Sequence, residues 1–145
     1  MEVHNVNIFD FPQNDYLYLL SMAGDDIFIN DTMSPIKALI NNLSVNRQAD
    51  IRTISTTSEI KRGDLINWNG GNWLIISEIG HKRYSYYKGI IQKCNYNIKF
   101  NFQGTIKQFP AIVDSRVFDI ETNQYVSIPA GKIVVTLPNN ADTDN

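Results

Sequence analysis

The chain has one cysteine, Cys94, and two histidines, His4 and His81, among its 145 residues. One thiol excludes an internal disulfide and a cysteine metal cluster. A lone cysteine within strand-rich sequence reads as a small buried hydrophobe. No histidine is near it in sequence to activate it as a nucleophile. The two histidines are far apart with no carboxylate at ligand spacing, so no metal site is expected. No Gly-x-Ser-x-Gly elbow is present, and Gly70-Gly71 is not followed by the Lys-Ser/Thr of a phosphate loop. The sequence therefore reads as that of a non-enzyme without a cofactor. No window approaches the roughly 20 apolar residues of a membrane span, and the start, MEVHNVNIFDF, lacks the basic and apolar regions of a signal peptide. Synthesis in a cytoplasm, with retention there or assembly into something from there and no membrane partner, is the expectation. The net charge of −2 offers no general attraction to nucleic acid.

What is there is β-forming sequence. The chain is 43% hydrophobic, which argues against disorder, and its length suits one compact domain. The central feature is a hairpin over residues 61–79, KRGDLINWNGGNWLIISEI. Its two apolar runs flank Asn69-Gly70-Gly71, residues that tolerate the positive φ of tight turns. Trp68 and Trp73 lie on either side and are placed to pair across the strands. The second run is apolar on both faces, as expected of a strand covered on both sides.

Before this hairpin, residues 1–15 read as an extended N-terminal arm, with Pro12 opposing a helix. Residues 16–22 (YLYLLSM) and 27–30 (IFIN) read as a second hairpin turning at Gly24-Asp25. Residues 33–45 fit two patterns. Ser34-Pro35 followed by Ile36, Leu39, Ile40 and Leu43 has helical spacing, while residues 36–40 also read as a short strand. Residues 51–57 are rich in β-branched side chains and read as a strand. After the central hairpin, residues 84–94 form a long strand with Gly89 as a candidate bulge. In residues 95–102, Tyr96, Ile98, Phe100 and Phe102 alternate onto one face, and Gln103-Gly104 turns the chain back. Further short strands fall at 105–109, 111–113, 117–120, 125–128 and 132–137, and the polar end, 138–145, reads as a disordered tail. The fold class is all-β: a single small β-barrel or sandwich over residues 16–137, built from hairpins with at most one short helix.

Three stretches invite a functional reading. Arg62-Gly63-Asp64 is an integrin-type tripeptide, but it leads straight into a strand and reads as a charged strand entry. The acidic residues Asp10, Asp15, Asp25, Asp26 and Asp31 lack calcium-loop spacing and read as solvated hairpin tips. Lys82, Arg83, Tyr84, Tyr86, Tyr87, Lys88 and Lys93 interleave bases with aromatics, the composition with which a barrel stacks and neutralises a single strand. The ordinary alternative is tyrosines in the core and lysines in water.

Four segments in fixed order carry a resemblance: Phe11-Pro12-x-x-Asp15-Tyr16, then Ile60-Lys61-Arg62-Gly63-Asp64, then Trp73-Leu74-Ile75-Ile76-Ser77-Glu78-Ile79, then Lys93-Cys94-Asn95-Tyr96-Asn97-Ile98-Lys99-Phe100. A tail follows, Ile128-Pro129-Ala130-Gly131-Lys132-Ile133-Val134-Val135. Together they resemble small head–tail connector proteins of the head-closure (stopper) kind, from tailed bacteriophages of Gram-positive hosts. The resemblance implies that residues 36–40 are a strand. It also implies a virion protein made in the host cytoplasm, a homo-oligomeric ring of six-fold or twelve-fold symmetry, and portal, adaptor and tail proteins as partners. DNA would be met only in passage through a channel. Candidate contacts are the loop residues Asn41, Asn42, Asn46, Arg47, His81, Lys82 and Arg83, with Tyr84, Tyr86 and Lys88 beside them. The alternative is a single-strand nucleic-acid-binding β-barrel; a hydrolase with an unrecognised site ranks below both.

Overall fold

A computed structural model describes residues 13–43, 50–80, 86–119, 121 and 124–143. Six strands close into a barrel in the order β1-β2-β3-β6-β5-β4. They are β1 (Asp25–Ile29), β2 (Ile36–Asn42), β3 (Ile51–Thr56), β4 (Leu65–Trp68), β5 (Gly71–Ile75) and β6 (Tyr87–Lys93). Every pairing is antiparallel, and β1 closes the ring on β4 through Phe28↔Asn67 and Ile29↔Ile66. One helix, α1 (Gln13–Ala23), precedes the barrel and lies against β2. The remaining strands are β7 (Tyr96–Phe102), β8 (Thr105–Asp114), β9 (Arg116–Asp119), β10 (Gln124–Ser127) and β11 (Val134–Thr136). They build a three-stranded sheet, β11-β8-β7, and a β9–β10 ribbon.

The expected all-β barrel with one short helix is what forms, but the helix is elsewhere. Residues 16–22 are helical rather than a strand, and the helix takes in Gln13, Asn14 and Asp15 from the expected arm. The rest of that arm lies outside the described residues. Tyr16 and Leu20 are one turn apart and face inward, with Leu20 buried. A proline just ahead of a helix is compatible with it, because first-turn N–H groups have no intrahelical partner. Residues 36–40 are strand, in keeping with the resemblance, because Ala38 must sit in the barrel interior opposite Thr56.

The barrel interior is solid. Ile27, Ala38, Ile54, Ile60, Ile66, Trp73, Ile75 and Ile91 form one buried cluster, with Trp68, Ile79 and Tyr87 packed against it. A six-stranded barrel is narrow enough for side chains to fill. The expected hairpin turns at Asn69 and Gly70, both at positive φ (49° and 70°). Trp68 faces Gly71 and Trp73 faces Ile66, so the two indoles meet diagonally, with ring centroids 5.3 Å apart. β5 is central, between β4 and β6, but ends at Ile75, where Ile76 N–H turns to bond Ile90 O at 2.9 Å. Leu74 points away from that interior, yet is buried in a row with its partner Gln92 and Gln92's other partner, Ile51. β5 and β8 are in contact, so the second sheet packs on this side of the barrel.

Gly89 is not a bulge. It holds the regular register opposite Ile54, and a Cβ there would fall 2.8 Å from Ile79 Cδ1. The glycine allows close approach by the segment after β5. The returning strands expected at 105–109 and 111–113 are one ten-residue strand, β8, running through Pro110. β11 pairs with only Ile112, Val113 and Asp114, so Pro110 lies beyond its reach and breaks no ladder bond to it.

Residues 138–143 of the polar end lie against the barrel and β8; residues 144–145 lie outside the described residues. Pro138 is buried, and Asn139 N–H donates to Gly63 O at 2.9 Å. Asn140 and Thr143 tie a turn, and Asp142 pairs with Lys107 of β8. Gly63 has φ +90°, and a Cβ there would sit 2.7 Å from Asn139 Cβ. That glycine is the seat of the C-terminal segment.

Candidate interaction surface

The tripeptide Arg62-Gly63-Asp64 has structural partners. Asp64 accepts from Lys61 N–H (2.7 Å) and from Asn30 Nδ2 (2.8 Å). Asn30 Oδ1 in turn accepts from Leu65 N–H at 2.9 Å. The carboxylate therefore joins the start of β4 to the turn after β1. Arg62 pairs with Glu78 at 3.0 Å in an exposed bridge, a kind that contributes little. Two of the acidic residues are likewise engaged: Asp25 accepts from Trp68 Nε1 (3.0 Å) and Asp26 pairs with Lys37 (2.9 Å).

The candidate contacts fall at two ends of the barrel. β2 ends at Asn42 and β3 begins at Ile51, so Asn41 and Asn42 belong to one end. β3 ends at Thr56 opposite Tyr87, the first residue of β6, so Tyr86 belongs to the other. Four residues of strand separate these levels, roughly 13 Å at about 3.3 Å per residue. Asn41, Asn42 and Lys88 are exposed. Asn46, Arg47, His81, Lys82, Arg83 and Tyr84 lie outside the described residues. Of the described candidates, Asn41 and Asn42 thus lie at one end and Tyr86 and Lys88 toward the other.

Two aromatic side chains in this region are occupied. Tyr86 stacks on Tyr16 of α1, with centroids 4.3 Å apart and ring planes within 18°. Tyr87 packs against the barrel core. The Tyr16 hydroxyl is buried without a hydrogen bond of good geometry. Burial raises its pKa, the nearby Ser55 hydroxyl acts in the lowering direction, and Tyr86 adds to the rise.

A polar cleft of about 320 Å³ opens where the chain leaves β6 for β7, lined by Gly71, Asn72, Lys93, Cys94, Asn95 and residues following it. Asn95 is committed to the fold, since its side chain donates to Val113 O and accepts from Val113 N–H, both at 2.8 Å. Cys94 is half-buried, and burial pushes its thiol up to about 12, far from the thiolate needed for nucleophilic chemistry at neutral pH. Among the described residues no group of three or more His, Cys, Asp or Glu gathers, and no helix is long and apolar enough to cross a membrane.

One surface escaped the sequence reading. On α1, Asp15, Tyr18, Leu19 and Met22 follow i, i+3, i+4, i+7 spacing and form a face opposite Leu20. Tyr18 is 68% and Met22 70% exposed. The helical spacing was the available signal, and reading the stretch as a strand concealed it.

Searches among curated proteins and among solved structures found no match. Two family models do match and divide the chain at the cleft: the YomX N-terminal domain over residues 2–93 and the YomX C-terminal domain over residues 96–145. YomX is a protein of the Bacillus phage SPbeta region, so a phage origin is supported. With the barrel matched by one model and the sheet and ribbon by the other, the chain belongs to the YomX family.

Proposed function

We propose that this chain is a non-enzymatic structural protein of a phage particle, a head-closure-type connector subunit that forms a ring between portal and tail. The observation that carries the reading is a solid barrel bearing exposed apolar surface. Eight buried residues fill its interior, while Tyr18, Leu19 and Met22 on α1 face outward. Such a molecule is built to be packed against other subunits. The order of segments described above and the phage-derived family support the same reading. Because the barrel is filled, DNA would pass through the hole of a ring and not through a subunit. A net charge of −2 per subunit would discourage sticking to that DNA.

The test is light scattering on the purified protein, alone and with a portal ring from the same phage, together with analysis of purified virions. A ring, or a stoichiometric complex with the portal, and presence in virions are expected. A chain that stays monomeric, ignores the portal and is missing from virions would overturn the proposal. Single-strand binding is the other reading. The engagement of Tyr86 and Tyr87 within the fold weighs against it.

A further inference from the structure

The barrel and the sheet of β7, β8 and β11 are joined at both ends of β5. The first joint is the chain itself. Lys93 N–H donates to Asp50 O and Cys94 N–H to Asn72 O, both at 2.8 Å, so the chain is held by the barrel through Cys94. From Asn95 it is held by the sheet. Asn95 N–H donates to Ala111 O at 3.1 Å, and its side chain is tied to Val113 by two bonds of 2.8 Å. Between these clamps the backbone is left with ψ of Cys94 and φ of Asn95. The polar cleft of about 320 Å³ opens at this point, which leaves room for rotation. A short joint between two rigid units is where hinge motion is absorbed.

The second joint is Gly63. Its N–H donates to Ile75 O at the far end of β5 (2.8 Å), and its carbonyl accepts from Asn139 N–H (2.9 Å). Three residue steps of β5, roughly 10 Å at about 3.3 Å per residue, separate the two joints. The hold at Gly63 is slight. Asp142 pairs with Lys107 of β8, and Thr143 bonds Asn140 and Pro138, so these contacts keep the strap on the sheet and on itself. Between the joints lies one buried layer. Leu74, Gln92 and Ile51 line its barrel side, β8 touches β5, and Ala111 and Ile112 of β8 are buried. This layer includes the polar Gln92, whereas the cluster inside the barrel is isoleucine, alanine and tryptophan. Weakly held parts open before a core does. From this geometry we infer that the second sheet is a hinged cover. It turns at the Cys94–Asn95 joint when residues 138–143 leave Gly63, and it uncovers Leu74 and Gln92 while the barrel stays folded. The device goes beyond the assembly reading and does not depend on it.

The experiment is maleimide labelling of the full chain in native buffer, with Cys94→Ala removing the natural thiol. Leu74→Cys places a thiol under the sheet. Thr56→Cys places one inside the barrel, where the side chain is fully buried. Leu74→Cys is expected to label at least about tenfold faster than Thr56→Cys, because opening the cover leaves the barrel intact. Ending the chain after Leu137 is expected to raise the Leu74→Cys rate by a further factor of about ten, because the hold at Gly63 is gone. Gln92→Cys reports on the same layer and decides the matter if Leu74→Cys fails to fold. Equal labelling at the two depths would mean that the sheet leaves only when the whole molecule unfolds, and would overturn the inference. So would a Leu74→Cys rate unchanged by the truncation, since the strap would then be no latch. Portal binding and presence in virions are read in other assays, so the connector reading is judged separately.

Discussion

Gly24 is the residue at which the helix hands over to the barrel. Its N–H donates to Leu20 O at 2.9 Å, and a Cβ there would sit 2.3 Å from that same oxygen. The obstacle is backbone, so it cannot rotate away. Gly24→Ala is expected to cost about 2–3 kcal/mol, at the upper end of ordinary point mutations, read by urea unfolding. Cys94 supplies a pH dependence. Its folded pKa, about 12, lies above the ordinary thiol value of 9.0 because burial disfavours the thiolate. Below pH 9 the thiol is protonated in both states and its contribution is fully present. Between about 9 and 12 the unfolded chain releases the proton first, so stability falls as pH rises. Cys94→Ala should make the alkaline fall in melting temperature shallower than in wild type.

At the scale of elements, the C-terminal segment holds two parts of the molecule. It bonds Gly63 beside β4 and pairs Asp142 with Lys107 on β8, so residues 138–143 link the barrel to the second sheet. Ending the chain after Leu137 removes one backbone hydrogen bond, the buried Pro138 and a half-exposed ion pair. The expected loss is about 1–2 kcal/mol, measured by chemical denaturation. A tail without structural role would leave the unfolding midpoint unchanged. Elements also show where reading by local pattern stops. Tyr16, Leu17, Tyr18, Leu19 and Leu20 are aromatic and aliphatic residues that suit either state. A strand there would need a partner in the sheet. The barrel closes β1 directly on β4 and leaves none.

At the scale of the whole molecule, a solid core and an apolar exterior make association the central prediction. The expected outcome by light scattering is a mass that grows with concentration or on adding a portal ring. Reduction of that growth by Met22→Glu would tie the assembly to one face.

Much of this architecture is written in the order of residues alone. The pattern LINWNGGNWLI yields the β4–β5 hairpin, because Asn-Gly accepts positive φ and flanking apolar runs need burial. The run NYNIKFNF yields β7, and Gln103-Gly104 yields the turn into β8, for the same local reasons. Other features depend on contacts between distant residues. Closure of β1 on β4 turns the first apolar stretch into a helix. The β2–β3 and β3–β6 pairings put Asn41 and Asn42 at one end of the barrel and Tyr86 at the other. The space over Gly63 holds the C-terminal segment in place, and the stack of Tyr86 on Tyr16 withdraws an aromatic face that composition had offered to a ligand. Local chemistry sets turns and strands within a few residues. Which faces remain for a partner is settled only after every strand has taken its neighbours.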